Sequence, residues 1–492
     1  MQRVLIALLG ASLCFGALSS STVMEVRPTV GSDTANGGTF DASVSSPGTD
    51  YSQQNTSHVT FNGSTITATT TGASATIVLT GYTVAATDEG NGLNITGGIS
   101  FNVGSYTIES VNVGLNTWTL DRVATGSVGS AMTGGMGGAF ATVAQANSIA
   151  VASNVVWVKA TGAYTVTTFL PITLVSTNAP ATPYSIIGYT STRGDGGQFT
   201  WTTSTNSADL IHMEGVTNVL IENAIMTSTA VTPGYGIMTP GSPNTPSTNV
   251  QCVNCFLSGF NIGVFGDWTS NQTFQGFYLI GSRITACVNQ GLWSSGNTYI
   301  FGSMIDNNGA DGARWENSNA GALAIWWVAS WSVFYHNGAN GFFMVQSGAS
   351  TTILDHDDFS TNTTNGVEQF NNASEPFMQV SNSIFDANGA FGINTNGIPT
   401  TPNMLIGPNA CYNNTSGCTQ GISGVTPITL TASPYVSLGT NFALNNTSGG
   451  GAALKTAGAP STIPGAGSGA PAIGALQPSS SGAGQKGFPV VQ

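Results

Sequence analysis

The polar and apolar positions of this chain follow no helical period of useful length. Short apolar and β-branched runs alternate with clusters of Gly, Asn, Asp, Ser and Thr, the pattern of strands broken by turns. Between Glu25 and Gly138 such runs include Ala75 to Tyr82, Tyr106 to Val111 and Thr117 to Val123. They predict an all-β N-terminal region. A glycine-rich hinge is expected at Gly134 to Gly138, and one short helix within Ala139 to Ala150.

Further along, two registers interlock. Glycines followed by an apolar residue or alanine stand at Gly236, Gly263, Gly291, Gly312, Gly341, Gly366 and Gly392, with gaps of 27, 28, 21, 29, 25 and 26 residues. Seven positions before the last six stands an apolar side chain: Phe256, Ile284, Ile305, Phe334, Phe359 and Phe385. Three residues after four of these comes an asparagine: Asn308, Asn337, Asn362 and Asn388. Spacing is constant inside the motif and variable between motifs, as in a solenoid of stacked coils with fixed corners and variable loops. The apolar residues are expected to form an interior column, and the asparagines a hydrogen-bonded ladder at about 4.8 Å per rung. Each ladder asparagine is expected to take the left-handed corner conformation itself, and the glycine to permit the next bend.

Motifs such as Val380-Ser-Asn-Ser-Ile-Phe-Asp-Ala-Asn388-Gly-Ala-Phe-Gly392-Ile resemble coils of the pectin-lyase-like right-handed parallel β-helix superfamily. Val156-Trp-Val-Lys-Ala-Thr-Gly162 resembles an opening coil of that superfamily, and Ala472-Ile-Gly-Ala-Leu-Gln477 a closing segment along the last rungs. The stretch Glu25-Val-Arg-Pro-Thr-Val-Gly-Ser-Asp-Thr34 resembles the start of β-helical proteins from phage and environmental bacterial genomes. The resemblance implies an all-β chain: a right-handed parallel β-helix solenoid over residues 150–440 behind an N-terminal β-rich cap region over 24–145. It implies a fold rather than an activity, because the superfamily contains lyases, hydrolases, tailspikes and adhesins.

Composition narrows the setting. Only 6% of the 492 residues are charged, and 22 acids against nine bases give a net charge of −13. So few Lys and Arg cannot neutralise many phosphates, which disfavours nucleic acid and anionic membranes and leaves polysaccharide or cell-surface glycan as the expected partner. Arg3, the apolar run Val4 to Leu18 and the small residues Ser19 to Thr22 read as a secretory signal over 1–23, the alternative being that Met24 is the true start. The run is shorter than the roughly 20 residues of a stable membrane span. Residues 448–492 are Gly, Ala, Ser and Pro-rich and read as an extended tail. Cys411 and Cys418 flank a polar turn and are expected to close a disulfide on export, whereas Cys252 and Cys255 read as structural thiols on opposite strand faces.

The densest acidic cluster, Asp355-His356-Asp357-Asp358, supplies the catalytic candidates Asp355, Asp357 and Asp358, with a solvated loop as the plainer reading. Aligned by column, Asp357 falls with Ser282, Ser303, Ser332 and Ser383, facing inward. Asp358 falls with Arg283, Met304, Val333 and Ile384, facing outward. Asp306, Asp311, Glu316 and Glu368 are further acids that could approach one another. No metal-ligand spacing is legible, so no cofactor is expected, though the acids leave room for calcium. A second constellation lies two residues beyond the in-register glycines: Phe265, Trp293, Arg314, Phe343, Glu368 and Asn394. Alternation turns this stripe outward, where aromatics can pack on sugar rings and Arg or Glu can bond hydroxyls. The plainer alternative is cover by a loop, with Trp326, Trp327 and Trp331 available, or by a sister chain in a homo-oligomer. Arg193-Gly194-Asp195 reads as a corner rather than an adhesion motif. The sequence therefore favours a non-enzymatic structural or receptor-binding protein, secreted or on a virion surface, that binds glycans. The alternative is a secreted polysaccharide lyase or glycoside hydrolase using an acid pair on the β-helix face.

Overall fold

A computed structural model describes residues 18–172, 183–213, 215–239, 247–266, 274–317, 325–346, 350–371, 377–395, 404–422, 426–458 and 472–475. The proposed signal segment lies outside them up to residue 17. Contacts divide the chain into two compact units, 1–154 and 155–492. Strands dominate both, and no helix among the described residues is long and apolar enough to cross a membrane.

The first unit holds a seven-stranded antiparallel sheet around Trp118, Leu93, Ile95, Ile77 and Phe61. The buried Asp88 carboxylate organises one end, accepting from Trp118 Nε1 at 3.1 Å, Tyr82 Oη at 2.8 Å and the Ala85 amide at 3.0 Å. The expected hinge at Gly134 to Gly138 is a different thing. Gly134, Gly135 and Met136 end the strand Thr125–Met136, paired on one side with Val59–Asn62 and on the other with Gly92–Phe101. The glycines there serve close strand packing. The short helix is Val143–Ile149, capped by the Thr142 side chain on the Gln145 amide.

The second unit is a parallel β-helix. Each coil contributes a strand to each of three parallel sheets. The first face runs from Val155–Lys159 to Met404–Ile406, the second from Ala163–Thr165 to Ile428–Thr429, and the third from Leu170–Ile172 to Gly417–Gln420. Pairing in register forces like positions into columns. On the second face Ile284, Ile305, Phe334, Phe359 and Phe385 stack into the interior, the three phenylalanine rings lying 4.9 and 5.2 Å apart and nearly parallel. Phe256 is not in this column. It pairs with Arg283, and Leu257 takes the interior place against Ile284, because that coil is one residue shorter between column and glycine.

The corner between second and third faces carries the asparagine ladder. Nδ2 of Asn308, Asn337, Asn362 and Asn388 donates to Oδ1 of the next residue up, Asn337, Asn362, Asn388 and Asn414, at 3.0, 3.0, 3.0 and 2.8 Å. The same Oδ1 atoms also accept the backbone amides of the rung below, at 3.0 to 3.3 Å. The ladder asparagines do not themselves take the left-handed conformation. The residue before each one does: Asn307, His336, Thr361, Ala387 and Asn413 have φ between 50° and 54°. Nor is the following glycine there for its φ. A Cβ on Gly341 would lie 2.7 Å from the Gly366 carbonyl oxygen and 2.9 Å from Asn362 Nδ2, so glycine is what lets adjacent rungs approach. The Cys411–Cys418 disulfide closes the last of these corners, around Asn414.

Replacing one central rung of the ladder strands partners on both sides. Asn362→Ala removes the acceptor of both Asn337 amides and the Nδ2 donor to the Phe334 carbonyl and Asn388 Oδ1, which keeps only the backbone amide of residue 362. Each buried orphan costs about 1–3 kcal/mol, and partial rearrangement holds the expected total to about 3 kcal/mol. Urea denaturation of Asn362→Ala beside Asn414→Ala checks it, the central variant being the weaker of the two. Equal midpoints would mean the ladder does not carry the corner.

Candidate functional site

The outward column of the third face gathers the stripe residues. Met238, Phe265, Trp293, Arg314, Phe343, Glu368 and Asn394 pair in unbroken succession. Phe265 and Asn394 are buried, while Trp293, Arg314, Phe343 and Glu368 between them are half-buried. The Arg314 guanidinium lies between two rings, 4.9 Å from the Trp293 centroid and 5.0 Å from that of Phe343. Its polar edge is held by Glu316, whose Oε2 accepts from Nε and Nη2 at 2.9 Å, and by Asp311 at 3.6 Å. Asn365 bridges on, donating to Glu368 at 3.1 Å. Of the four acids considered for mutual approach, Asp311 and Glu316 thus meet at Arg314, and Glu368 is linked to Asp311 through Asn365 and Asn340. Asp306 stands apart: it sits on the second face, paired with Arg283 through two bonds of 2.8 and 2.7 Å. Burial pushes the Asp311 carboxyl up, and the Asn340 amides and Arg314 oppose the shift.

Two aromatic neighbours extend the column in ways that spacing did not reveal. Tyr235 stacks on Phe265 at 4.5 Å, and Phe169 stacks on His212 at 4.0 Å. The three tryptophans considered as cover lie elsewhere. Trp326 is exposed on the first face, Trp327 packs inward on Phe342, and Trp331 occupies a first-corner position of φ 53° beside His356.

The acidic cluster is no solvated loop: Asp355, His356, Asp357 and Asp358 are all buried. Asp355 ends the first-face strand Ser350–Asp355 and accepts from Ser381 Oγ and Asn382 Nδ2 at 2.8 Å each, with His356 Nδ1 at 3.0 Å. Asp357 is one rung of an interior hydroxyl ladder. Ser303 Oγ, Ser332 Oγ, Asp357 Oδ1, Ser383 Oγ and Asn409 Oδ1 each accept the amide of the residue one rung below, at 2.9 to 3.3 Å. Burial drives its carboxyl well above the usual carboxylate range, and the nearby charges of Asp355 and Asp358 add to that.

Asp358 lies in the outward column with Met304, Val333 and Ile384, yet no water reaches it. Residues 430–458 and 472–475 lie over this face as a strap. Leu430, Tyr435, Phe442, Leu444, Leu454 and Ile473 pack on Met304, Val333, Ile384 and Ala410. Composition reads residues 448–492 as an extended tail, but the strap includes a short helix, Gly451–Leu454. Ala472–Ala475 lie on the last rungs: the Gly474 amide donates to the Asn382 carbonyl at 2.7 Å and the Ala475 amide to Asp358 Oδ1 at 3.2 Å. Gly474 has a φ of +108°, and a Cβ there would sit 2.9 Å from that same oxygen. Asp386, one rung above and two positions along, shares the cover. Burial raises Asp386 to about 7, the Ser360 hydroxyl opposing, and raises Asp358 well above its ordinary value with the Asp386 charge adding to the effect. Nothing in the sequence pattern pointed to Asp386 or Tyr435.

The remaining candidates are structural. The Asp195 carboxylate is spent on the amides of its own loop, Thr190, Ser191, Thr192 and Gly197, which hold it well below the usual range. Cys252 and Cys255 both face inward, because the left-handed Asn254 turns a corner between them and cancels strand alternation.

No family model matches the chain, and no curated protein matches it. Among solved structures, pectate lyase Pel9A superposes with a TM-score of 0.51 at 15% identity, over 68% of this chain and 91% of that one. A rhamnogalacturonan lyase gives 0.40 at 11% identity over 61% and 87%. PfbA, a surface adhesin of Streptococcus pneumoniae, gives 0.33 at 11% over 57% and 83%. The likeness to Pel9A agrees with the fold seen here: this chain has the parallel β-helix architecture that its repeats predict.

The covered carboxyls make stability depend on pH with a definite sign. Asp386 binds its proton more tightly folded than unfolded, so its contribution is present below about pH 4 and lost as pH rises through about 7. In buffer freed of multivalent cations, the melting temperature is expected to fall between pH 4 and 8, with Asp386 responsible for about 2–4 kcal/mol of that loss. Asp386→Asn is expected to flatten this part of the profile in a calorimetric scan. A profile unchanged by the substitution would show that Asp386 is not the titrating group.

Proposed function

We propose that the protein is an extracellular β-helical binding protein, of the cell exterior or a virion surface, that holds neutral glycans on the third face. The observation that carries this reading is the half-exposed column Trp293, Arg314, Phe343 and Glu368, in which an arginine is fixed between two aromatic rings. Aromatic faces accept the apolar faces of sugar rings, and a pre-positioned Arg and Glu offer donors and acceptors to hydroxyls at little ordering cost. The preference for neutral sugars follows from charge. Arg314 is already engaged by Glu316 and Asp311, and with Glu368 the patch holds three acids to one base. A polyuronate would meet repulsion there rather than a free guanidinium. An extracellular setting is supported by the low charge and by the Cys411–Cys418 disulfide.

The competing reading, a polysaccharide lyase or hydrolase, loses its first candidates, because Asp355, Asp357 and Asp358 are closed off from solvent, and the half-exposed Glu316 is tied to Arg314.

A glycan array on protein expressed from Glu25 onward, with assays for reducing ends and unsaturated products on every hit, separates the two. Binding to neutral glycans without product is expected. Trp293→Ala should weaken it at least about tenfold, or ~1.4 kcal/mol, while Trp326→Ala on the first face leaves it unchanged. Product formation lost in Asp358→Asn would overturn the binding reading in favour of an enzyme.

A further inference from the structure

The strap closes over carboxyls that have no counter-charge. Among the described residues neither Asp358 nor Asp386 makes an ion pair; Arg283 is committed to Asp306, and Lys455 on the strap donates to Asn446. Hydrogen bonds do not compensate either. Asp358 Oδ2, both Asp386 oxygens, Ser360 Oγ and Tyr435 Oη are all buried without a partner. Tyr435 comes from the strap and Ser360 from the β-helix, so two separate elements aim an unsatisfied oxygen at the same place. The Tyr435 hydroxyl lies against Asp358 and within reach of the Asp386 charge, and Ser360 lies against Asp386, but neither contact attains hydrogen-bonding geometry.

Two buried negative charges left like this cost several kcal/mol each. A proton or a cation must answer them. The donor set is wholly oxygen, which suits a hard ion and not zinc or copper. Asp358 and Asp386 stand on neighbouring strands, one rung apart and offset by two residues, a diagonal of about 8 Å between their backbones. Two carboxylates reaching toward each other along such a diagonal, beneath the strap, can converge on one ion at the roughly 2.3–2.6 Å of calcium–oxygen bonds.

We propose that Asp358, Asp386, Ser360 and Tyr435 form a site for a hard divalent cation of the calcium class, which latches the C-terminal strap onto the second face. Two carboxylates neutralise the ion's charge, and waters complete its shell. With so few charged ligands the affinity falls in the weak range typical of extracellular modules, on the order of 10⁻⁴–10⁻³ M. The site is independent of the glycan-binding column, which lies on another face.

The full chain, stripped with a chelator and dialysed to pH 8, is titrated with calcium chloride against ionic-strength-matched sodium chloride. Three readouts are taken: calorimetric binding, melting temperature, and trypsin cleavage after Lys455 within the strap. One equivalent of calcium is expected to bind, to raise the melting temperature by several degrees and to slow the Lys455 cut at least about fivefold. Asp386→Asn, which imitates the protonated group and so folds without the ion, is expected to lose all three responses. A measurement needing no variant runs beside it. At pH 4.5 Asp357, Asp358, Asp386 and Tyr435 carry their protons, and calcium should have no effect on the unaltered chain; Tyr335 and Tyr412 are the other titratable side chains in the Asp386 column. No calcium response at pH 8, or one retained in Asp386→Asn, would overturn the proposal.

Discussion

Everything in the second unit depends on one repeat distance, the spacing between hydrogen-bonded parallel strands of about 4.8 Å. It is set by backbone amides and carbonyls, and it obliges each side chain to live with the one above and the one below. A residue is therefore selected less for its own burial than for its fit to a column. Phenylalanine stacks on phenylalanine at 4.9 and 5.2 Å because the rungs leave that gap and no other. Asparagine is tolerated in the interior because its amide is both donor and acceptor, so a run of them satisfies itself without water. The hydroxyl ladder at the opposite corner works by the same rule, with a side-chain oxygen taking the amide of the rung below.

The same constraint explains where charge becomes costly. A column accepts a change of chemistry only if the neighbours or the exterior absorb it. Asp357 replaces serine in the hydroxyl ladder and keeps its accepted bond, but its second oxygen finds nothing. Asp358 replaces an apolar residue in a column of Met304, Val333 and Ile384, on a face then covered by Leu430, Phe442 and Leu454. A strap of apolar residues is natural over the apolar part of that column and unnatural over two carboxyls. That local conflict, in a structure otherwise consistent from strand to strand, is the kind of violation that marks a site rather than an accident of folding.

Much of this was legible in the sequence because a solenoid writes its geometry as spacing. The glycine and asparagine registers predicted the corners, and column alignment put Asp357 with the serines and Phe265, Trp293, Arg314 and Phe343 in one outward line. What failed did so for local reasons. Phe256 was misplaced because one residue is missing from its coil, and a fixed count of seven cannot register that. The left-handed corner residue was missed because Asn307, His336, Thr361 and Ala387 share no side-chain type; the backbone there is imposed by the turn, at positive φ, on whatever residue arrives. Alternation misjudged Cys252 and Cys255 because a corner, not a strand, lies between them. The strap left no periodic trace, since it packs once against one face and repeats nothing.

The two decorated faces thus stand in opposite situations. On the second, the chain supplies its own partner, and the polar groups trapped beneath it are answerable only by something small enough to be enclosed. On the third, Trp293, Arg314, Phe343 and Glu368 stay half-exposed, although their rings and guanidinium are already ordered against one another. Holding an arginine between two aromatics with its polar edge tied to Glu316 adds little to the stability of a solenoid that already closes its core with ladders. Its effect is to remove freedom from groups that face outward, which lowers the ordering cost for any ligand that lies along the column. On the reading proposed above, a rigid strip in which aromatic rings flank one ion-paired arginine favours a neutral polymer over a polyanion, because its three acids would repel the latter.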